Sequence, residues 1–172
     1  MKSGIPQQIE LILSDVDGVL TDGAIVYNNQ GIETKSFHVR DGLAIQLWKR
    51  AGFRFGLITS RTSHIVKVRA AELGIDIVRQ GSEDKLAKAL EVMAECGVLP
   101  ERVCFIGDDL PDIPVMRRVG FPVAVADAEK DVRDRAAYVT RSPGGRGAVR
   151  EVVEMLLKAK SLWGDVIAQY LE

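Results

Sequence analysis

Cysteine is nearly absent. The 172 residues include only Cys96 and Cys104, too few for a disulfide framework and better suited to reduced, buried thiols in a cytosolic protein. Neither sign of charge dominates, because 23 Lys and Arg nearly cancel 24 Asp and Glu. The basic surplus of a nucleic-acid binder is missing, so nucleic acid is not an expected partner. No apolar run approaches the roughly 18–20 residues of a membrane span. The opening Met1-Lys2-Ser3-Gly4-Ile5-Pro6 leads into a stretch broken by Glu10 and Asp15, unlike a signal peptide. A cytoplasmic protein with no membrane partner is therefore expected. Repeats, low-complexity tracts and linkers are lacking as well, so residues 1–172 read as a single domain. A chain of this size buries roughly 70% of its unfolded surface and needs no staples.

Short apolar segments alternate with helical patterns for most of the length. Residues 9–13, 53–58, 103–106 and 123–125 are branched-rich and apolar nearly throughout, as in strands buried on both faces of a parallel sheet. Between them lie amphipathic segments at 41–51, 62–73, 83–96 and 111–119. Gly52, Gly74, Gly97 and Gly120 follow these segments directly, where a left-handed C-cap belongs. Ser82 is placed as an N-cap and Pro111 suits a first helical turn. The βαβα alternation predicts a doubly wound α/β fold, Rossmann-like, with a mostly parallel sheet flanked by helices. One segment interrupts it. Strand-like stretches around Asn28-Asn29-Gln30-Gly31 predict a β-hairpin flap over about 23–39, projecting after the first strand. That loop lies at the carboxyl ends of the strands, where open α/β sheets bind ligands. Ser142-Pro143-Gly144-Gly145-Arg146-Gly147 then leads into a helical tail over about 146–172.

The chemistry gathers at the expected strand ends. Asp15 and Asp17 close the first strand, where carboxylates are costly without a cation or hydrogen bonds. A hard cation such as Mg²⁺ keeps several waters, so one or two carboxylates suffice to hold it. Asp15 can bind metal through one oxygen and attack phosphorus with the other, while Asp17 donates a proton to the leaving group and later activates water. Taken alone, the pair reads equally well as a solvated Asp-Gly turn. Thr59 offers a hydroxyl to a phosphoryl oxygen, although threonine there is commonly a helix cap. Lys85 sits near a helix start, where the macrodipole disfavours a cation and an anionic partner would favour one; a solvated lysine is as common. Asp108, Asp109 and Asp112 crowd another strand end as in a metal site, with a capping role as the plain alternative. Together they form one phosphate-handling set, because phosphoryl transfer needs chiefly charge neutralisation and in-line positioning.

Asp15-Val16-Asp17-Gly18-Val19-Leu20-Thr21, Thr59, Lys85 and Gly107-Asp108-Asp109 resemble the four motifs of the haloacid dehalogenase superfamily, in order and across essentially the whole chain. The resemblance implies a phosphatase in which Asp15 becomes phosphorylated. It also implies that Asp15, the backbone carbonyl of Asp17 and Asp108 bind Mg²⁺, supported by Asp109 and Asp112. No block remains for a large cap domain, so this looks like the minimal-cap branch.

Within that branch, Phe37-His38-Val39-Arg40-Asp41-Gly42, Thr59-Ser60-Arg61 with Val68-Arg69, Gln80-Gly81, Gly107 to Asp112 and Gly144 to Glu151 are similar to the phosphatases of 3-deoxy-D-manno-octulosonate 8-phosphate, a lipopolysaccharide precursor. That resemblance implies a homotetramer with the flap at a neighbouring active site. It further implies substrate contacts from Asp17, His38, Val39, Arg40, Asp41, Gly42, Ser60, Arg61, Arg69 and Lys85. Arginine pairs bidentately with a carboxylate or phosphate, while a plain surface arginine is the alternative for Arg69. Ser60 stands where relatives usually have glycine, and Gln46 where some have arginine. Relatives acting on the nine-carbon keto-deoxy sugar 9-phosphate tend to carry an acidic residue in place of Arg61, so the arginine favours the eight-carbon substrate. A receiver domain would carry its acid pair on the first strand and its lysine last, whereas Asp108-Asp109 follow Lys85. An idle oligomerisation domain would have no need of the complete catalytic set.

Overall fold

The structure is a computed structural model that describes residues 4–171. Met1-Lys2-Ser3, where the reading of the opening begins, and Glu172, the last residue of the expected tail, lie outside the described residues. β1 (Leu11–Ser14) is buried along its whole length. The chain then leaves the sheet for a hairpin, β2 (Val26–Tyr27) paired antiparallel with β3 (Glu33–Thr34). It returns through α1 (Val39–Arg50) to β4 (Arg54–Ile58), then winds through α2 (His64–Glu72), β5 (Ile77–Arg79) and α3 (Lys85–Cys96). There follow β6 (Val103–Gly107), α4 (Ile113–Met116), β7 (Phe121–Ala124), α5 (Lys130–Arg133) and β8 (Tyr138–Val139), and finally α6 (Ala148–Ala159) and α7 (Trp163–Ile167).

Six strands make one sheet in the order β5-β4-β1-β6-β7-β8, every pairing parallel. This is the doubly wound, Rossmann-like α/β fold that the alternation predicts. The chain builds outward from β1 on one side, then crosses back to build from β6 on the other. The loops leaving β1 and β6 therefore diverge, which opens the crevice where such sheets bind ligands.

Burial explains the elements. α6 sends Val149, Val152, Val153, Leu156 and Leu157 into the core, against the inner face of α1 with Ala44, Ile45, Leu47 and Trp48. Fully burying one such aliphatic side chain is worth about 1.5–3 kcal/mol. The Trp48 indole N–H donates to the Arg54 carbonyl at 2.8 Å, so the large ring is buried with its polar atom satisfied. Cys104 is fully buried and Cys96 half-buried, and both are free thiols. No helix among the described residues is long and apolar enough to cross a membrane.

Several boundaries differ from the sequence reading. The edge strands β5 and β8 are additional. The predicted 111–119 helix is a 3-10 turn, Leu110–Asp112, running into the single-turn α4. Gly52, Gly74 and Gly97 have positive φ, but Gly120 does not. A Cβ on Gly120 would come within 2.1 Å of the Glu101 carbonyl oxygen, so glycine is required there for close approach rather than as a left-handed cap. Ser82 is not the N-cap of α3: Asp84 accepts from the Ala87 N–H at 2.9 Å, and the Ser82 hydroxyl donates to the Asp84 carbonyl.

Candidate active site

Asp15 follows β1 by one residue, Thr59 follows β4 by one, and Asp108 follows β6 by one, so neighbouring parallel strands deliver all three to one edge of the sheet. Lys85 opens α3. Its ammonium lies 2.7 Å from Asp15 Oδ2 and 2.7 Å from Asp112 Oδ1. Asp112 is fully buried, and its other oxygen accepts from the Asp108 N–H at 2.9 Å and the Asp109 N–H at 3.3 Å. It thus fixes the lysine and the Asp108 loop at once. Asp109 caps the following turn by accepting from the Leu110 N–H at 2.7 Å. Of the two residues expected in support, Asp109 acts through the backbone alone, and Asp112 through the backbone and Lys85.

One carboxylate oxygen from each of Asp15, Asp108 and Asp112 lies within 4.8 Å of the others. Three carboxylates face one ammonium, a surplus of negative charge in a site largely removed from water. Burial is the main reason that the Asp15 carboxyl is pushed up to about 6, with Asp112 adding to the rise and Lys85 opposing it. Burial, then the charges of Asp112 and Asp15, push Asp108 up to about 8. Asp108 Oδ1 is buried with no hydrogen-bond partner. A hard divalent cation answers both facts, supplying the missing charge and a partner for the orphaned oxygen. Asp108 offers it the free oxygen, whereas both oxygens of Asp112 are engaged, and Asp15 would join through an oxygen shared with the Val16 N–H or the Lys85 ammonium, each at 2.7 Å.

Glycines bring the loops this close. Gly18 has φ +95°, and a Cβ there would lie 2.0 Å from Asp108 Oδ2. Behind the same turn, the Gly145 N–H donates to the Val19 carbonyl at 2.9 Å. A Cβ on Gly144 would stand 1.8 Å from the Gly18 carbonyl oxygen.

Asp17 is held differently. Its Oδ1 is ion-paired with Lys35, which the flap carries from just beyond β3. Oε1 of Glu33, also on the flap, is 2.8 Å from the Arg61 guanidinium and 3.3 Å from the Lys35 ammonium, and Oε2 accepts from the Ser63 hydroxyl at 2.7 Å. These partners, led by the Ser63 hydrogen bond, hold the Glu33 carboxyl down at about 2. Lys35, Glu33 and Ser63 are absent from the sequence reading. The available signal is faint: an acid and a base two apart on a hairpin strand, hence on one face. Thr59 is buried and its hydroxyl accepts from the Arg61 N–H at 3.3 Å. Ser60 is exposed and outside the left-handed region, so its backbone does not demand glycine.

The remaining expected substrate residues gather elsewhere. His38, Asp41, Gly42 and Arg69 share a crevice with Phe37 and Leu73. The Arg69 guanidinium lies 5.7 Å from the Phe37 ring centroid, and a Cβ on Gly42 would come within 2.4 Å of it. Asp41 is buried, and its two oxygens accept from the Gly147 N–H at 3.1 Å and the Arg150 N–H at 2.7 Å, capping α6 across the fold. Val39 and Arg40 are exposed. Among the described residues, no hydrogen bond or ion pair joins this crevice to Asp15, Asp108 or Lys85.

A parallel α/β sheet that gathers an aspartate nucleophile candidate, a lysine and a cation-ready carboxylate at one edge defines a phosphoryl-transfer hydrolase. A family model for haloacid dehalogenase-like hydrolases matches residues 37–120, and the chain belongs to that family. It is 46% identical over 154 residues, 90% of this chain and 82% of the relative, to the 3-deoxy-D-manno-octulosonate 8-phosphate phosphatase KdsC of Escherichia coli K12. Among solved structures, it is similar to the 3-deoxy-D-manno-octulosonate 8-phosphate phosphatase of Moraxella catarrhalis in complex with magnesium, phosphate and KDO. That match has a TM-score of 0.93 at 42% identity, covering 95% of this chain and 94% of the other. The cobalt-bound Haemophilus influenzae phosphatase gives a TM-score of 0.92 at 37% identity, covering 96% and 98%.

Proposed function

We propose that the protein hydrolyses 3-deoxy-D-manno-octulosonate 8-phosphate to the free sugar acid and phosphate, with Mg²⁺ as cofactor. The observation that carries this reading is the Asp15–Lys85–Asp112 contact beside the orphaned Asp108 oxygen. A carboxylate oxygen of Asp15 attacks phosphorus, the ester P–O bond breaks, and Asp17 gives its proton to the departing sugar oxygen. Water then attacks the aspartyl-phosphate, Asp17 takes back a proton, and Asp15 is freed with release of phosphate. Mg²⁺, held by Asp15, Asp108 and the Asp17 carbonyl, would neutralise the phosphoryl oxygens. Lys85 balances the charge of Asp15, Thr59 and Ser60 line the approach after β4, and Arg61 takes the sugar carboxylate.

A homotetramer with shared sites is part of the proposal. Two features support it: the expected substrate residues fall in two separate places, and Ile25, Val26, Tyr27 and Ile32 of the flap expose apolar surface. Lys35 and Glu33 seat each flap in its own chain's site, while the exposed apolar residues of a neighbour's flap and the neighbour's His38-to-Gly42 segment with Arg69 would complete it. The free thiols support a reducing, cytoplasmic setting.

Purified protein should release phosphate from the eight-carbon substrate in preference to a panel that includes the nine-carbon homologue, and Asp15→Asn or a chelator should abolish turnover. Activity surviving Asp15→Asn would refute the covalent route, and preference for another sugar would redirect the substrate. A monomer by sedimentation would remove the shared site.

A further inference from the structure

We propose that Lys35 of the flap is a positioning residue for Asp17. It fixes one carboxylate oxygen so that the other is kept for the proton exchanged with the leaving oxygen. This rests on the phosphatase reading and names a device inside it.

The Lys35 side chain is 1% exposed. An ammonium so deeply buried is costly unless negative partners meet it. Those partners are Asp17 Oδ1 and, at 3.3 Å, Glu33 Oε1. Asp17 Oδ2 is buried without a hydrogen-bond partner, and Arg61 Nε, 3.8 Å away, is also unpartnered. The carboxylate is therefore asymmetric, with one oxygen tied and one available.

What places Lys35 is Glu33. It is tied to Ser63 at 2.7 Å and to Arg61 at 2.8 Å on the loop after β4. β2 and β3 pair over only two residues each, too short a ladder to position the flap. The ionic chain Arg61–Glu33–Lys35–Asp17 does so instead, and it inserts the flap into the catalytic centre.

The test uses the full chain with Mg²⁺ and compares wild type, Lys35→Met and Lys35→Arg on two esters. The sugar-acid phosphate is an alkyl ester whose oxygen needs a proton to leave, whereas the nitrophenolate of p-nitrophenyl phosphate leaves without one. kcat/KM is read because it reports steps through departure of the leaving group. Lys35→Met should lower kcat/KM on the alkyl ester about tenfold or more and on the aryl ester less than about threefold, since proton transfer by a placed group is worth roughly 10²–10⁴. Lys35→Arg should recover most of the alkyl activity. Equal loss on both esters, or no loss on either, overturns the proposal. Retained aryl activity verifies that the variant folds. If wild type cleaves a different alkyl phosphate but not the sugar acid, the substrate reading fails, and the Lys35 comparison stands or falls separately on that ester.

Discussion

Gly18 shows how little room the catalytic centre leaves at single positions. Its positive φ and the 2.0 Å approach of Asp108 Oδ2 to its Cβ position exclude any side chain. Gly18→Ala should push Asp108 aside and raise the Mg²⁺ requirement. Turnover should fall at least about tenfold, since a displacement of about 1 Å can cost 10²-fold. Phosphate release across a Mg²⁺ series checks this, and an unchanged Mg²⁺ dependence would contradict it. Asp15, Lys85, Asp108 and Asp112 were legible in the sequence because each follows or opens an element whose apolar pattern is clear. Lys35 and Glu33 were not, because ion pairs reaching 18 and 28 residues along the chain leave no periodic trace.

Between elements, the decisive contact is Asp41 of α1 capping α6. A helix start leaves N–H groups unpaired, and here a carboxylate from another helix satisfies two of them in a buried setting. Asp41→Ala should destabilise the fold by about 1–2 kcal/mol on the scale of lost N-caps, read as a lower urea midpoint. Unchanged stability with a raised KM would assign Asp41 to substrate instead. β1, β4, β6 and β7 were readable because strands buried on both faces are apolar throughout. β5, half-buried and three residues long, and β8, with two, lie at the sheet edges, where no such run is required. That Asp41, expected to meet substrate, also caps α6 was not readable, because a motif carries identity but not direction.

For the molecule as a whole, the raised carboxyls couple metal, protons and stability. Asp15 at about 6 and Asp108 at about 8 hold protons that the unfolded chain, with carboxyls near their ordinary values, has already released. The metal-free fold binds more protons than the unfolded chain in that window. Its stability therefore falls as pH rises from the ordinary carboxylate range through about 6 and on to about 8. Mg²⁺ must displace those protons, so its binding strengthens with pH across the same window. The rise in Tm on adding Mg²⁺ should be larger near pH 8 than near pH 6, with chelator reversing it, and an equal rise at both would exclude the linkage. The doubly wound architecture and the flap's place were readable at this scale. The separation of the expected substrate residues into two places was not, since it follows from how α1 and α2 pack together rather than from any local pattern.

The tail loop contributes no reactive group, yet Gly144 and Gly145 lie flush against the backbone of the nucleophile's turn. A Cβ on Gly144 would meet the Gly18 carbonyl oxygen and one on Gly145 the Thr21 and Asp22 backbone, so the tail loop can acquire no side chain at the seam without dislodging the turn. Substituting either glycine would therefore reach the catalytic centre through the backbone alone, and the two loops can vary only as a matched pair.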